Sequence, residues 1–585
     1  MKKILLLLCL SFAAVVPAAV LHTASGGKVK TLDPVLADDL ASRDITALVF
    51  DTLLQYDYTA RPYKLVPSML SKMPEVSADF RTFKFELRDD LYFADDPVFE
   101  QRRDLRKVTA YDVKFSILRF ADIRNYSPVY WMFRGKIAGL EKFRAATRNC
   151  RRSDWSVYDR NIAGITIYSP RHFTITLEKP DPRFLYILAM PNAGIVSRRA
   201  VEFYGVRFRR HPVGSGPFKL KRWYPNLKVE FVRNPDYREE YFSAAAAPGD
   251  RKKPLPLLDG VNVYQIAQSM TAWMLFLQGN LDINVLDKDN LEQLTFGGRE
   301  LIPALKARQI KLLNSPEFEV RYIGFNFDDP KLGGNLKLRQ ALSLSYDVSR
   351  RVRHASGQLV PAHGAVPPGV AGHDPEFRNP FARYDLEAAK RLLAEAGYPG
   401  GIDPETGKAL TLTFDQAGSS TAHRQMGELA RDDWSKLGIN VVSELNSRPR
   451  FFEKLRLKKF QLFRLSWSGD YPDAENFLQL FYSGNRNSCN RCGFSDPEFD
   501  RLYEQSAAMA ECPERTRLYE KMVELLSGKC AWIYEGFPLS SSLYHAWLQN
   551  YLPHDFGFVR WKYLNVDEAK KRELKKSFRP LRNFR

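Results

Sequence analysis

Cysteine and histidine are scarce in this chain, with six Cys and nine His among 585 residues. That scarcity excludes a disulfide-dense scaffold and a metal store built from Cys and His clusters. Beyond the N-terminal segment there is no run of about eighteen apolar residues, so no transmembrane helix is expected. No repeat of fixed period appears, which excludes a solenoid or propeller. Catalytic signatures are missing as well. Gly214-Ser215-Gly216 is not a GxSxG elbow, and no HExxH occurs. Thr406-Gly407-Lys408-Ala409 lacks both the earlier Gly and the following Ser or Thr of a phosphate loop, so it reads as a β-turn. Acidic residues are in deficit: 68 Asp and Glu against 87 Lys and Arg leave a net charge of +19. Anionic surroundings suit such a chain, but the excess carries no information about fold.

What is present is ample apolar material. Hydrophobic residues make up 44% and aromatic residues 13% of the sequence, and its length implies two or more packed units. The first residues read as an export signal. Met1-Lys2-Lys3 is a short basic segment, an apolar stretch interrupted only by Ser11 follows to Val16, and Val16-Pro17-Ala18 offers small or apolar residues at the processing positions. Residues 1–18 are therefore expected to be cleaved on secretion. Cys9 lies inside the apolar stretch rather than at its end, which argues against a lipid anchor.

With Cys9 removed, Cys150, Cys489, Cys492, Cys512 and Cys530 remain, an odd number for an oxidising compartment. Cys489-Asn-Arg-Cys492 has metal-ligand spacing but no second pair or nearby His, so a local disulfide or an unrelated pairing is expected instead of zinc. Cys512 and Cys530 flank a helical pattern long enough to keep them apart.

Strand-like and helix-like segments alternate from end to end, the pattern of an α/β protein. Thr82-Phe-Lys-Phe-Glu-Leu-Arg88 has period two, and Thr109-Ala-Tyr-Asp112 opens a helix in the manner of a capping box. Residues 218–223 and 229–232 flank Tyr224-Pro225-Asn226 as a hairpin, and residues 243–260 read as a surface loop. Asp385 caps a helix ending at Gly397. A second helix, residues 422–437, ends at Gly438 before a strand at 439–442. A buried strand at 460–467 then runs into Ser468-Gly469-Asp470-Tyr471-Pro472-Asp473. Turns beyond the carboxyl ends of strands are where open α/β sheets hold ligands, which singles out Asp470.

Three bland readings accompany these. Asp470, Asp473 and Glu475 include spacings usable for glycoside hydrolysis, although turn-forming Asp residues around a Pro are commoner. His354, His363 and His373 share one Gly- and Pro-rich segment but are too widely spaced to specify a metal site. Basic clusters at 102–107, 207–210 and 570–585 come without a nucleic-acid-binding module, so solvated faces are expected and nucleic acid is not.

The ordered set of short motifs resembles the extracytoplasmic solute-binding proteins of peptide-type ABC transporters, family 5. The motifs are Thr31-Leu-Asp-Pro34, Val49-Phe-Asp-Thr-Leu-Leu54, Val66-Pro-Ser68, Val108-Thr-Ala-Tyr-Asp-Val113, Gly214-Ser-Gly-Pro-Phe-Lys219, Arg233-Asn-Pro-Asp-Tyr237, Arg339-Gln-Ala-Leu342, residues 384–398 and residues 467–473. They span nearly the whole chain after the leader.

The resemblance implies a bilobal periplasmic-binding-protein fold of class II type, with an extra domain inserted in the N-terminal lobe. Lobe one would comprise residues 19–48, the inserted domain 49–182, a middle part 183–317 and the C-terminal part 548–585. Lobe two would span 318–547. It also implies a monomer without catalysis or cofactor, periplasmic, that captures peptides and delivers them to an ABC permease in the inner membrane. Trp467 and Asp470 match a Trp-x-x-Asp whose Asp takes the peptide α-amino group, Arg464 matches an Arg that receives the peptide carboxylate, and Asp38 and Leu40 fall where the extended ligand is met. Burying an ammonium needs a paired carboxylate, and a guanidinium binds a carboxylate bidentately. The segment 95–107 is longer and more basic than the family pattern. Relatives of similar pattern bind nickel, haem, glutathione or sugars, so a non-peptide solute is the alternative ligand and a secreted hydrolase the alternative class.

Overall fold

The computed structural model describes residues 18–578, apart from 243–246, 248, 287, 297–299, 419 and 487, and gives no side-chain placement for 288–290. The export segment thus lies almost wholly outside the described residues, as do most of the four alanines near 245 and the end of the basic C-terminal run.

Three larger sheets organise the chain. Strand Val20–Ser25 pairs in parallel with Gly260–Gln265, which continues antiparallel into Lys228–Arg233 and Phe218–Tyr224. The last two form the expected hairpin, with Asn226 in the left-handed region at φ 58°. A second sheet is wholly antiparallel, in the order Glu75–Val76, Thr82–Glu86, His172–Thr176, Ile165–Ile167. The alternation of Thr82–Glu86 buries Phe83 and Phe85 and leaves Lys84 in water.

The third sheet has eight strands, centred on Trp532–His545 and Glu319–Phe325, with Leu462–Ser468, Thr411–Ala417 and Asn440–Asn446 on one side. Trp532–His545 is long enough to pair with several strands, among them Ile283–Val285 and Leu359–Val360. Its first half lies against Glu319–Phe325, and its second half runs antiparallel to Ile310–Pro316, from Leu539 opposite Pro316 to His545 opposite Ile310. Ile283–Val285 pairs with the same second half, at residues 542–544.

Local signals explain the helices. Thr109 N and Oγ1 both donate to Asp112, at 3.0 and 2.9 Å, opening helix Ala110–Ala121. Asp385 accepts from Ala388 N at 3.0 Å at the head of Leu386–Glu395, and Gly397 and Gly438 take φ of 94° and 79° just beyond their helices.

The short motifs turn out to hold the chain to itself. Asp33 is buried against Arg119 through two bonds of 2.9 and 2.7 Å. Asp51 binds Arg238, whose other branch meets Glu240 at 2.8 Å, and Lys562 completes the group at 2.8 Å from Glu240. Between them, Arg238 and Lys562 hold the Glu240 carboxyl far below its ordinary range despite burial. Gly214 and Gly216 pass directly over the backbone of Val49, where a Cβ at either position would collide with its carbonyl.

Two expectations are corrected. All five described cysteines are free thiols. Cys492 is buried and accepts from Trp532 Nε1 at 3.1 Å, and burial pushes its thiol up to about 12. It therefore packs as a small apolar side chain rather than as half of a bridge. The stretch read as a surface loop also dips inward, because Leu255 and Leu257 bury against Tyr58, Phe242 and Tyr563.

Candidate ligand cleft

Strand Leu462–Ser468 carries Trp467 near its carboxyl end in the eight-stranded sheet, opposite Val320. The chain then turns sharply. Gly469 N donates to Phe318 O at 2.8 Å, and a Cβ on Gly469 would strike the Phe318 ring, so only glycine permits this approach. Asp470 follows, and the chain enters the short helix Glu475–Leu478.

One residue that sequence reasoning missed organises this corner. Asn476 Oδ1 accepts from Trp467 Nε1 at 3.0 Å and from Asp470 N at 3.1 Å, so a single buried amide fixes both candidate site residues. Burial pushes the Asp470 carboxyl up, while the positive charge of Arg43 and a hydrogen bond from Asn476 pull it down. Arg43 sits in helix Leu40–Val49, which Asp39 caps by accepting from Ser42 N at 2.9 Å. Its guanidinium lies 5.4 Å from the Phe558 ring centre, and its Nε is buried without a hydrogen bond.

Asp38 and Leu40 lie on the same segment. Both are exposed, Leu40 to 67%, and Asp38 faces Lys30 at 3.8 Å. Leu40 is already helical, so the extended backbone ends at Asp39. Arg464 has a partner of its own: its Nε lies 2.9 Å from both carboxylate oxygens of buried Glu535, and one terminal nitrogen lies 2.8 Å from Oε2. Tyr346 OH donates to the same carboxylate. Burial alone would raise Glu535, but the Arg464 guanidinium overrides it and holds the carboxyl below its ordinary range.

Two of the three carboxylates considered for hydrolysis are engaged. Asp473 is buried and binds Arg515 at 2.7 Å and Tyr519 OH at 2.8 Å. Glu475 accepts from Tyr471 OH at 2.7 Å and from Tyr503 OH, and lies 3.5 Å from Arg183. Asp470 is the member of this trio that makes no ion pair among the described residues. His373 Nδ1 is bonded to Val366 O at 2.8 Å, and no group of three or more His, Cys, Asp or Glu among the described residues is arranged to hold a metal.

Contacts around this corner are aromatic and ionic. The rings of Tyr186 and Tyr471 stack at 5.6 Å with 2° between planes, and Arg183 reaches Glu475. Phe318 meets Phe477 at 5.0 Å and Phe556 at 4.8 Å, while Asp555 accepts from Phe318 N at 3.1 Å. A narrow pocket remains between Tyr63 and Tyr186 on one side and Asp473, Arg515 and Tyr519 on the other. The larger surface cavities, along Thr421–Ser435 and beside residues 360–378, lie away from Asp470.

Asp470 thus stands at this corner as a carboxylate without an ion-pair partner among the described residues. The description "Bacterial extracellular solute-binding proteins, family 5 Middle" matches residues 64–489, and the chain belongs to that family. Its members are non-catalytic transport components with the bilobal α/β fold. Among individual relatives, the periplasmic oligopeptide-binding protein OppA of Salmonella typhimurium is 25% identical over 542 residues, covering 91% of this chain and 89% of OppA. The glutathione-binding protein GsiB of Shigella flexneri serotype 5b is 26% identical over 524 residues, 87% of each chain. The solved structure of HbpA2 from Haemophilus parasuis superposes with a TM-score of 0.74 at 21% identity, over 94% of this chain and 99% of that one. Among the described residues no helix is long and apolar enough to cross a membrane.

Proposed function

We propose that this chain is the substrate-binding component of an ABC importer that encloses a peptide between its lobes and hands it to a membrane permease. The observation that carries this reading is Asp470. A carboxylate held by Asn476 just beyond the carboxyl end of a strand, drawn out of water yet without an ion-pair partner among the described residues, is suited to an ammonium. Trp467, fixed by the same Asn476, offers its ring to the backbone of the first ligand residue. The name of OppA supports a peptide, and that of GsiB supports glutathione.

In this reading lobe one comprises residues 19–317, including the domain inserted at 49–182, and 548–585. Lobe two is 318–547, and the ribbon of Ile310–Pro316 with Trp532–His545 is the connection between them. Residues 1–18 are removed on export, and the protein acts as a periplasmic monomer without nucleic acid. The exposed segment Asp38 to Leu40 borders the ligand. Arg464 can receive a ligand carboxylate only in competition with Glu535, so the carboxyl end of the ligand is held less specifically than the amino end. Native mass spectrometry of protein purified without denaturation, followed by ligand release, tests the assignment. Peptides are expected, and recovery of only haem, sugar or a metal chelate overturns it.

A further inference from the structure

The basic cluster at 207–210 packs beside the basic segment 95–107. Helix Arg198–Tyr204 ends at Gly205, whose φ of 52° turns the chain into a short, tighter helix, Gly205–Arg210. That short helix is fixed from within. Phe208 is fully buried beside Phe50, with ring centres 6.0 Å apart, and Leu32 N donates to Arg209 O at 2.8 Å. With Phe208 turned inward, its neighbours face water: Phe203 is 61% and Val206 66% exposed, and Arg207, Arg209 and Arg210 are exposed as well. None of these three arginines forms an ion pair among the described residues, although the Arg210 guanidinium lies 5.7 Å from the centre of the Trp223 ring. The acidic side chains packed here are already taken. Arg199 Nε donates to Val98 O at 2.9 Å, which holds segment 95–107 against the helix. Within that segment Asp96 accepts from Tyr204 OH at 2.7 Å and lies 2.9 Å from His211 Nε2, Glu100 pairs with Arg199, and Asp104 pairs with Arg102. Glu202 is bound by Arg198 at 2.6 Å.

Like charges gathered without counter-charges repel one another, and the Phe and Val side chains beside them are held in water at a cost. A surface that relieves both carries anionic groups over an apolar layer, which is the boundary of a phospholipid bilayer. An acidic protein would answer the arginines, but a charged protein face gives Phe203 and Val206 no apolar layer to enter. We propose that Phe203 and Val206, with Arg207, Arg209 and Arg210, seat this protein on an anionic phospholipid surface. The apolar pair enters the headgroup boundary, and the guanidiniums take lipid phosphates, which they can bind bidentately. Attachment of this kind is reversible, because two side chains and three charges fall far short of a spanning helix. It keeps the protein near a membrane whatever solute is bound, and so does not depend on the role of Asp470.

Flotation with lipid vesicles tests this, using the chain without residues 1–18, which would themselves enter lipid. Vesicles of phosphatidylglycerol and phosphatidylethanolamine are expected to carry the protein, and vesicles of phosphatidylcholine to leave it behind, with the binding weakened at high salt. Each arginine near an anionic surface is worth about fivefold in partition, so Arg207→Gln, Arg209→Gln and Arg210→Gln combined should lower binding on the order of a hundredfold. Phe203→Ser with Val206→Ser, at unchanged charge, should lower it at least about tenfold. All five side chains are exposed, and unchanged melting curves are the folding control. A third variant removes three exposed charges from helices Pro497–Ala507 and Pro513–Gly528: Arg501→Gln, Arg517→Gln and Lys521→Gln. It should bind within about threefold of wild type, since charges beyond a screening length of about 10 Å contribute little. A loss in the third variant equal to that in the first would assign the binding to net charge and overturn the proposal. So would full retention by either of the first two variants, or equal binding to both kinds of vesicle. Binding to neither also overturns it, and leaves the arginines to an acidic protein.

Discussion

Arg183 and Glu475 meet at 3.5 Å, beside the stacked rings of Tyr186 and Tyr471. Glu475 is buried, and its other partners, Tyr471 and Tyr503, are neutral hydroxyls, so Arg183 supplies the compensating charge. Removing one member of a buried pair costs about 3–5 kcal/mol, because the remaining charge is stranded. Arg183→Ala is therefore expected to lower the melting temperature and to favour an open cleft, seen as a larger radius of gyration in small-angle scattering. An unchanged radius and melting curve would mean that the contact does not hold the cleft closed.

Asp470→Ala is expected to weaken binding of free-amine peptides by about 2–5 kcal/mol, the cost of leaving a buried ammonium unpaired, while the fold persists. N-acetylated peptides should bind wild type poorly. The pH dependence has a definite sign. Burial raises the Asp470 carboxyl in the free protein, and the ligand's ammonium favours the ionised form. Affinity should fall as pH drops through that raised value, and Asp470→Asn should flatten the profile. Equal calorimetric affinities for wild type and Asp470→Ala would reduce Asp470 to a turn residue.

Arg464 is bound to Glu535 at 2.8–2.9 Å, so its truncation acts first on stability. Arg464→Ala leaves Glu535 buried with Tyr346 as its remaining neutral partner, and a loss of about 3–5 kcal/mol in chemical denaturation is expected. Ligand amidation at the carboxyl end should cost wild type less than acetylation at the amino end. A larger penalty for amidation, abolished in Arg464→Ala, would show that Arg464 leaves Glu535 for the ligand.

His545 is fully buried, with Nε2 2.9 Å from Phe276 O and its ring 4.0 Å from that of Trp547. Burial pushes its pKa down from 6.5 to about 4. The folded protein thus resists a proton that the unfolded chain accepts at about 6.5. This contribution to stability is complete above that value and is lost as pH falls from 6.5 towards about 4. His554, lowered to about 3, acts in the same direction. Melting temperatures measured across this range should decline on acidification, and His545→Gln should show a shallower slope even if its midpoint at neutral pH is lower. Parallel slopes would assign the acid sensitivity to other groups.

Much of the local structure was legible. The Thr109–Asp112 box, the Asp385 cap, the glycines ending two helices and the Pro225-Asn226 hairpin depend on neighbours a few residues away, and each stands where the pattern put it. The family was legible too, because its motifs recur in order along the chain. The site was legible in part. Trp467 and Asp470 meet at one corner, but Asn476, which orients both, looked like an ordinary polar residue in a short helix.

By itself, the sequence determined the alternation of strands and helices and the membership of a solute-binding family. The tertiary structure alone decided which charges are uncommitted. Asp470, Asp473 and Glu475 are near neighbours of like chemistry, yet Arg515 and Tyr519 take Asp473, Arg183 and Tyr503 take Glu475, and Asp470 makes no ion pair among the described residues. Arg464 is likewise claimed by Glu535, far along the chain. Caps, turns and strand periods are set by short-range geometry, which a sequence displays. The state of an ionisable group is set by the dielectric and the charges around it, which distant segments supply only when the chain has folded.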